Sequence, residues 1–320
     1  MSEKIEAAQV AAIVVNYRTP ELTMACVESL RQTTGVDLRI IVVDNRSDDG
    51  SVDQLRVRFG GVPDRVSIVA RDVNDGYAGG NNAGVEIARQ LGVRFTFILN
   101  SDTTVAPDCL AHLIAEAESS ARPALVAPRI LVGDTDIVWF AGARFSLWTG
   151  RPAHMGLGRP TLGATPTTDI PFASGCALLV DLQALGAGPI FDETLFSYAE
   201  DLDLSLRVRE MGRRIRYVPA AVVRHFEGAS HRKAGGQALR FYLNTRNLLR
   251  VVSRHARWYH WITLAPMLTV DVVGRFCAVA VRDRDAAAFR AVLRGAWHAI
   301  SGGHHPIESQ APATPASATR

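Results

Sequence analysis

Short apolar runs separated by helix-length stretches organise the first hundred residues. Ala11–Val15, Arg39–Val43, Val66–Ala70 and Arg94–Leu99 each have the length and composition of a buried strand. Between them, Glu21–Gln32 carries Leu22, Cys26, Ser29 and Leu30 at helical spacing behind Pro20, and Asn82–Leu91 reads as a helix closed by Gly92. This alternation predicts an α/β fold with a mostly parallel central sheet and helices on both faces. In such sheets ligands bind beyond the carboxyl ends of the strands. Asp44, Asn74-Asp75 and Asp102 all fall just past predicted strand ends.

The pattern then changes. Arg129–Ile170 is rich in Gly, Pro and Thr and reads as hairpins and loops inserted on the acceptor side. Phe172–Val180 returns to strand character, Asp201–Met211 is helical and ends at Gly212, and Arg214–Val218 is a further strand. From Gln237 onward the spacing is helical. After about Ser301 the residues are small or polar, which predicts a disordered tail over 301–320.

Composition narrows the class. With 320 residues, 48% hydrophobic and 21% charged, the chain suits a large globular core. The net charge of +3 hides an asymmetry. Residues 237–300 hold ten arginines (Arg240, Arg246, Arg250, Arg254, Arg257, Arg275, Arg282, Arg284, Arg290, Arg294) against Asp271, Asp283 and Asp285. This basic, apolar stretch fits either an anionic membrane surface or a solvated helical face. The run Trp261–Val281 approaches the length of a membrane span but contains Pro266, Asp271 and Arg275. Charges near a span centre cost about 2.5–3.5 kcal/mol each, so it reads as an interfacial or core helix. Cys26, Cys109, Cys176 and Cys277 form no CxxC pair, which argues against a zinc site or a disulfide framework and for a reducing cytoplasm. The N-terminus lacks a basic-then-apolar leader pattern.

The candidate chemistry is acidic. In ILNSDTTV a buried strand delivers Asn100, Ser101 and Asp102 to a sheet edge, where a hard cation could meet a diphosphate. Asp102 is the expected ligand; the bland alternative is an ordinary loop acid. Asp44 could accept a hydrogen bond from a base N–H or a ribose hydroxyl, or serve as a turn residue in DNRSDDGS. Asn74–Asn82, NDGYAGGNN, is a glycine-rich opening to a helix, suited to close approach of a phosphate or sugar by Asn74, Gly76, Gly79, Gly80 and Asn81. It is neither GxGxxG after the first strand nor GxxxxGK[ST], which argues against a Rossmann dinucleotide site and a P-loop kinase. Glu200 and Asp201 open a helix. They are either complements to its dipole or a general base for an acceptor hydroxyl. Asp203 points elsewhere and reads as structural. His225 is an isolated imidazole that gains interest from Asp102, while His231, Arg232 and Lys233 read as a solvated loop.

Taken together, the segments IVVNYRTPELTMACVESL, IIVVDNRS, NDGYAGGNNAG, ILNSDTTV, ASGCALLV, IFDETLFSYAEDLDLSLRVREMGRRIRYVPAAVVRH and HFEGAS resemble the family-2 inverting glycosyltransferases of the GT-A fold, specifically the bacterial rhamnosyltransferase-like branch. The likeness covers about residues 11–232. It implies a catalytic domain over 1–236, a helical C-terminal region over 237–300 that rests on the inner membrane face, and a tail over 301–320. It implies that Asn16, Tyr17, Arg18 and Asp44 surround the nucleotide base and that the 74–82 segment lines the nucleotide-sugar. Gly175, within ASGCALLV, joins the substrate-binding set. Asn100 and Asp102 stand where the family has its DxD metal motif, with Asn in place of the first acid. Asp201 falls on the catalytic base of the ED motif beside Glu200, and His225 on a His that completes the metal shell. The implied reaction is a single in-line displacement with inversion, assisted by Mg²⁺ or Mn²⁺. The implied partners are a nucleoside-diphosphate sugar, dTDP-rhamnose before UDP-sugars, and a glycan or polyprenyl-phosphate-linked acceptor. No nucleic acid is expected, and self-association stays open.

Two rivals bound this reading. A same-fold nucleotidyltransferase would carry a basic glycine-rich loop after the first strand, where this chain has NYRTPEL. A non-catalytic nucleotide-sugar-binding protein would have no use for Glu200, Asp201 and His225.

Overall fold

The structure, a computed structural model, describes residues 10–60, 65–161, 165–226, 236–277 and 286–302. Expectations for the tail beyond 302 and for His231, Arg232 and Lys233 fall outside these residues.

The first half follows the apolar pattern closely. Strands β1 (Val10–Asn16), β2 (Leu38–Asp44), β3 (Val66–Ala70) and β4 (Phe95–Asn100) pair in parallel in the order β3-β2-β1-β4. Parallel strands covered on both faces read as unbroken apolar runs; VAAIVV and RIIVV are such runs, buried almost throughout. Helix α1 (Pro20–Arg31) starts on Pro20, whose fixed φ suits a first turn, and buries Thr23, Cys26, Val27 and Leu30 on one stripe. Helices α2 (Ser51–Phe59) and α3 (Gly76–Gln90) complete the wrapping. Phe97, Ile98 and Leu99 of β4 lie fully buried at the centre of the core.

Beyond β4 the chain adds β5 (Thr103–Val105), α4 (Cys109–Ala117), β6 (Leu125–Val132), β7 (Val138–Phe140), the hairpin β8 (Ala143–Ser146) and β9 (Arg151–His154), β10 (Thr168–Asp169), β11 (Ala177–Asp181), a short α5 (Leu182–Leu185), α6 (Glu200–Glu210) and β12 (Ile215–His225). The full sheet runs β10-β12-β6-β11-β4-β1-β2-β3, with β5 on β12 and β7 on β6. Strand β11 lies antiparallel to both neighbours and the edge strand β10 antiparallel to β12, while β12 is parallel to β6.

Three differences from the sequence reading matter for the site. Helix α3 begins at Gly76, six residues before the expected Asn82, so the glycine-rich segment is helix. Its glycines serve packing: a Cβ on Gly80 would press into Val15 and one on Gly84 into Ile13, so their absence lets α3 lie against β1. The expected strand Arg214–Val218 continues to His225, because after a bulge at Val218/Val222 the chain rejoins β6 and also pairs with β5. His225 is thus a strand residue, not a loop residue after a turn. The strand expected over Phe172–Val180 starts only at Ala177; Phe172 makes an isolated bridge to Ala143.

The C-terminal helices are α7 (Gly236–His255), α8 (Trp261–Cys277) and α9 (Ala286–Ser301). Val251 and Val252 of α7 and Leu264 and Leu268 of α8 are buried in the same core as the sheet. The β8–β9 hairpin is fastened to α8. Arg151 forms a two-pronged ion pair with Asp271 (Nη2–Oδ1 2.6 Å), Thr263 donates to the Trp148 carbonyl, and Gly150 packs on Leu264 and Leu268. Among the described residues no helix is long and apolar enough to cross a membrane.

Candidate active site

Strand register brings the first group together. Asn16 lies directly opposite Asp44 at the carboxyl ends of β1 and β2, and Asn100 ends β4 on the other side of β1, opposite Val15. Asp44 is fully buried; both its oxygens accept the Ser47 N–H (2.9 and 3.3 Å), and burial pushes its carboxyl above the ordinary value. Asn16 accepts from Thr23 (2.7 Å) and donates to Ser47 (3.2 Å). Arg18 sits over the Tyr17 ring and pairs with Asp48 (2.6 Å). Arg18 and Arg46 both adopt left-handed backbone angles (φ 56° and 61°), a conformation that concentrates at functional turns.

The glycine-rich segment lies next to this group. Asn45 donates to Asn74 Oδ1 (3.0 Å) and to the Gly76 carbonyl (2.7 Å), and Asn74 accepts the Gly76 N–H (2.9 Å). Asn74 is half-buried, whereas Gly79, Gly80 and Asn81 are buried in the first turns of α3, with Asn81 donating to the Tyr77 carbonyl (2.8 Å).

The expected metal pair meets. Asp102 and His225 come from separate strand ends because β5, which directly follows Asp102, pairs with the last residues of β12. His225 Nε2 faces Asp102 Oδ1 at 3.2 Å, and both side chains are almost wholly buried. Burial alone would lower the imidazole pKa; Cys176 and Asp102 outweigh it and push it up to about 11. The imidazolium therefore occupies the place of a cation beside the carboxylate. Among the described residues no three His, Cys, Asp or Glu side chains are placed to hold a metal by themselves. A bound metal would require the neutral imidazole and so would displace the imidazolium proton; Asp102 and His225 would then offer one oxygen and one nitrogen donor to a cation that takes the rest of its shell from a diphosphate.

Glu200 and Asp201 open α6 in contrasting surroundings. Asp201 Oδ2 accepts the Gly175 N–H (2.9 Å) and Oδ1 the Leu202 N–H (2.8 Å). Burial raises its pKa, against those two bonds and the nearby His154. Glu200 is more deeply buried; among the described residues its Oε2 has no hydrogen-bond partner, and burial together with the Asp201 carboxylate holds its pKa well above the usual range. Two adjacent acids thus differ in character: a Glu200 whose charge is opposed by burial and by its neighbour, and an Asp201 whose oxygens accept two N–H groups and retain further lone pairs. Asp203, read from sequence as structural, is fully buried and engaged by Arg207, Arg254 and His255; despite its burial they draw its pKa down to about 2.

The segment Ser174-Gly175-Cys176 joins the pieces. Gly175 gives its N–H to Asp201 and its carbonyl to the Tyr77 hydroxyl (2.6 Å), and the Cys176 carbonyl accepts the Asn100 N–H (2.9 Å). Trp139 stacks edge-on against both His225 (4.7 Å) and His154 (5.0 Å). Tyr77, Trp139, His154 and Cys176 were not among the sequence candidates. Trp139 and His154 lie in the insertion, where only their aromatic character amid Gly and Pro could have marked them.

Residues 11–185 match the family described as Glycosyl transferase family 2, a span that ends before Glu200, Asp201 and His225. The succinoglycan biosynthesis protein ExoO of Rhizobium meliloti is 30% identical over 44% of this chain and 37% of its own. The pre-mycofactocin glycosyltransferase of Mycobacterium tuberculosis is 29% identical over 59% and 37%. The chain thus spans little more than a third of these two relatives. The N-acetylglucosaminyl-diphospho-decaprenol L-rhamnosyltransferase of M. tuberculosis is 26% identical over 72% of this chain and 80% of its own. Among solved structures, GalNAc-T7 with UDP, GalNAc and Mn²⁺ superimposes over 94% of this chain and 58% of its own at TM-score 0.62 and 15% identity. A mannosyltransferase from Pyrobaculum calidifontis with GDP-Man and Mn²⁺ covers 94% and 78% at 0.54 and 16%. Both likenesses give the fold.

Proposed function

The chain belongs to glycosyl transferase family 2, and on that premise we propose that it transfers a sugar from a nucleoside diphosphate to an acceptor hydroxyl, with inversion. The observation that carries this reading is the meeting of Asp102 with His225 on one side of Gly175-Cys176 and of Asp201 on the other. Asn16, Tyr17, Arg18 and Asp44 would receive the nucleoside at the ends of β1 and β2, and Asn74, Gly76, Asn100 and Ser101 would border the diphosphate and sugar.

Asp201 accepts the acceptor's proton as its oxygen attacks the anomeric carbon. The bond from that carbon to the diphosphate oxygen breaks and the nucleoside diphosphate leaves. Burial and the adjacent Asp201 carboxylate raise the Glu200 pKa well above the usual range, which favours a single charge on the two acids. Asp102 and His225 would hold a divalent cation, Mg²⁺ or Mn²⁺, which when bound neutralises charge on the leaving diphosphate. The rhamnosyltransferase relative, which matches over most of both chains, favours dTDP-rhamnose as donor and a polyprenyl-diphosphate-linked sugar as acceptor. UDP-sugars are the second choice. Exposed Trp258, in the turn before α8, Ile262 of α8, and Trp297 and Ile300 of α9, within the arginine-rich region, favour peripheral contact with an anionic membrane on its cytoplasmic face.

A thermal-shift screen of dTDP, UDP and GDP with and without Mn²⁺ tests the donor site. A nucleotide bound at 100 times its Kd stabilises by about 2.7 kcal/mol. The expected result is a metal-dependent rise for one nucleoside diphosphate; no rise with any would return the chain to the non-catalytic reading or remove the site.

A further inference from the structure

The acids are delivered by an unusual turn. Phe196, Tyr198 and Ala199, none of them glycine, take left-handed backbone angles (φ 63°, 71° and 66°) immediately before α6. L-residues avoid this region unless their surroundings enforce it. Such a turn also leaves its carbonyls without regular partners, and buried carbonyls require them.

Each partner can be named. The Phe196 carbonyl accepts the Ala78 N–H of α3 (3.0 Å), and the Ala199 carbonyl accepts the Asp203 N–H of α6 (3.0 Å). The remaining carbonyls turn toward α7. Asn247, fully buried, directs its side-chain NH₂ at Leu195 (2.6 Å), Ser197 (2.8 Å) and Tyr198 (2.9 Å). Arg246, also buried, donates through Nη2 to Thr194 (3.1 Å) and Leu195 (3.3 Å). Its Nε donates to Asn247 Oδ1 (2.8 Å), which fixes the amide with its donors facing the turn. Two turns further along α7, Arg254 pairs with Asp192 (2.7 Å) and Asp203 (3.0 Å), and His255 bridges Asp203 (3.1 Å) and Glu210 (2.8 Å). One helix therefore grips both the turn and α6. The same turn packs on the glycine-rich segment, where a Cβ on Gly76 would collide with Phe196.

We propose that Arg246 and Asn247 are positioning residues: they hold the left-handed turn and, through it, set Asp201 on Gly175 and Phe196 against the start of α3. The C-terminal helix would then be part of the catalytic apparatus. The inference rests on Asp201 being the base.

The test compares wild type, Asn247→Asp, which keeps the shape and removes the donors, and Arg246→Lys, which keeps the charge. Hydrogen–deuterium exchange needs no substrate. Amides of residues 195–202, with Ala78 and Gly175, are expected to exchange at least about tenfold faster in Asn247→Asp, while those of β2 and β4 keep their wild-type rates. With the nucleoside-diphosphate sugar chosen by the donor screen, kcat for nucleotide release is expected to fall on the order of 10²-fold, as for a misplaced catalytic group, while nucleotide affinity stays unchanged. Unchanged exchange in the turn overturns the proposal. So does faster exchange across the whole sheet, or failure of both variants to fold, since either gives α7 a purely structural role. Asp201→Asn, assayed alongside, reads the base separately: its survival would sink the base assignment and leave the exchange result to judge the clamp.

Discussion

The proposed nucleotide end and the acid end of this site are built in opposite ways. At the nucleotide end, Asn16, Asp44 and Asn100 close three neighbouring strands, and their positions follow from the register of a relaxed parallel sheet. At the acid end, Asp201 follows a turn with three left-handed residues, and the Leu195, Ser197 and Tyr198 carbonyls of that turn accept from a side chain about fifty positions later. The first end is placed by backbone pairing, the second by long-range polar contacts. Backbone placement tolerates the loss of any one side chain; placement by a clamp concentrates the dependence on few groups.

Predictions can break this contrast at its strongest point first. Asp201→Asn is expected to lower kcat by about 10²–10⁴-fold, the range for a lost general base, with nucleotide affinity intact. Steady-state kinetics with calorimetry reads both, and activity within about tenfold of wild type would reject the assignment. Because burial raises the Asp201 pKa, and only the ionised form accepts a proton, activity should be lost as pH falls through a value above about 4, the ordinary carboxylate range. A pH profile of kcat/KM with its acid limb below that range would contradict this.

Asp102→Ala is expected to weaken nucleotide binding by about 10–100-fold in the presence of Mn²⁺ and scarcely at all without it. Equal weakening in both conditions would mean that Asp102 does not act through metal. Asp203→Asn addresses the acid end without touching the chemistry. The Asp203 pKa falls from 3.8 to about 2 on folding, so its contribution is present above the unfolded value and disappears as pH falls between the two. The variant should lose on the order of 2 kcal/mol at pH 7, with the gap to wild type closing between about pH 4 and pH 2. Urea unfolding across that range measures it. Smallest of all, Trp258→Ala and Trp297→Ala should each reduce partition onto anionic vesicles roughly fivefold, the effect of about 1 kcal/mol of apolar burial, with turnover in solution preserved. Sedimentation with vesicles that shows no change would remove the membrane surface from the picture.

Legibility in the sequence followed the same divide. Asp44 and Asp102 could be read because buried parallel strands are continuous apolar runs that end where polarity begins. Strand β6 escaped detection because Pro128 and Arg129 interrupt it; Pro128 is accommodated beside the bulge at Val218/Val222. That bulge also hid the placement of His225 on β12. Helix α2 was concealed behind DNRSDDGS, where Gly50 takes a left-handed angle and Asp49 accepts the Ser51 N–H, so turn chemistry runs directly into a helix. The turn before α6 gave no local sign at all. Phe, Tyr and Ala do not announce positive φ, and Arg246 and Asn247, which donate to the carbonyls of this segment, are remote in sequence.

The attachment of the β8–β9 hairpin to α8 bears on how such enzymes can be recombined. The hairpin reaches its place through Arg151 on Asp271, Trp148 on Thr263 and Gly150 on Leu264 and Leu268, all partners more than a hundred residues downstream. A chimera that borrows the hairpin from a relative without its helix would graft a plug without its socket. The two segments are a single exchangeable cassette, split in sequence and joined in space.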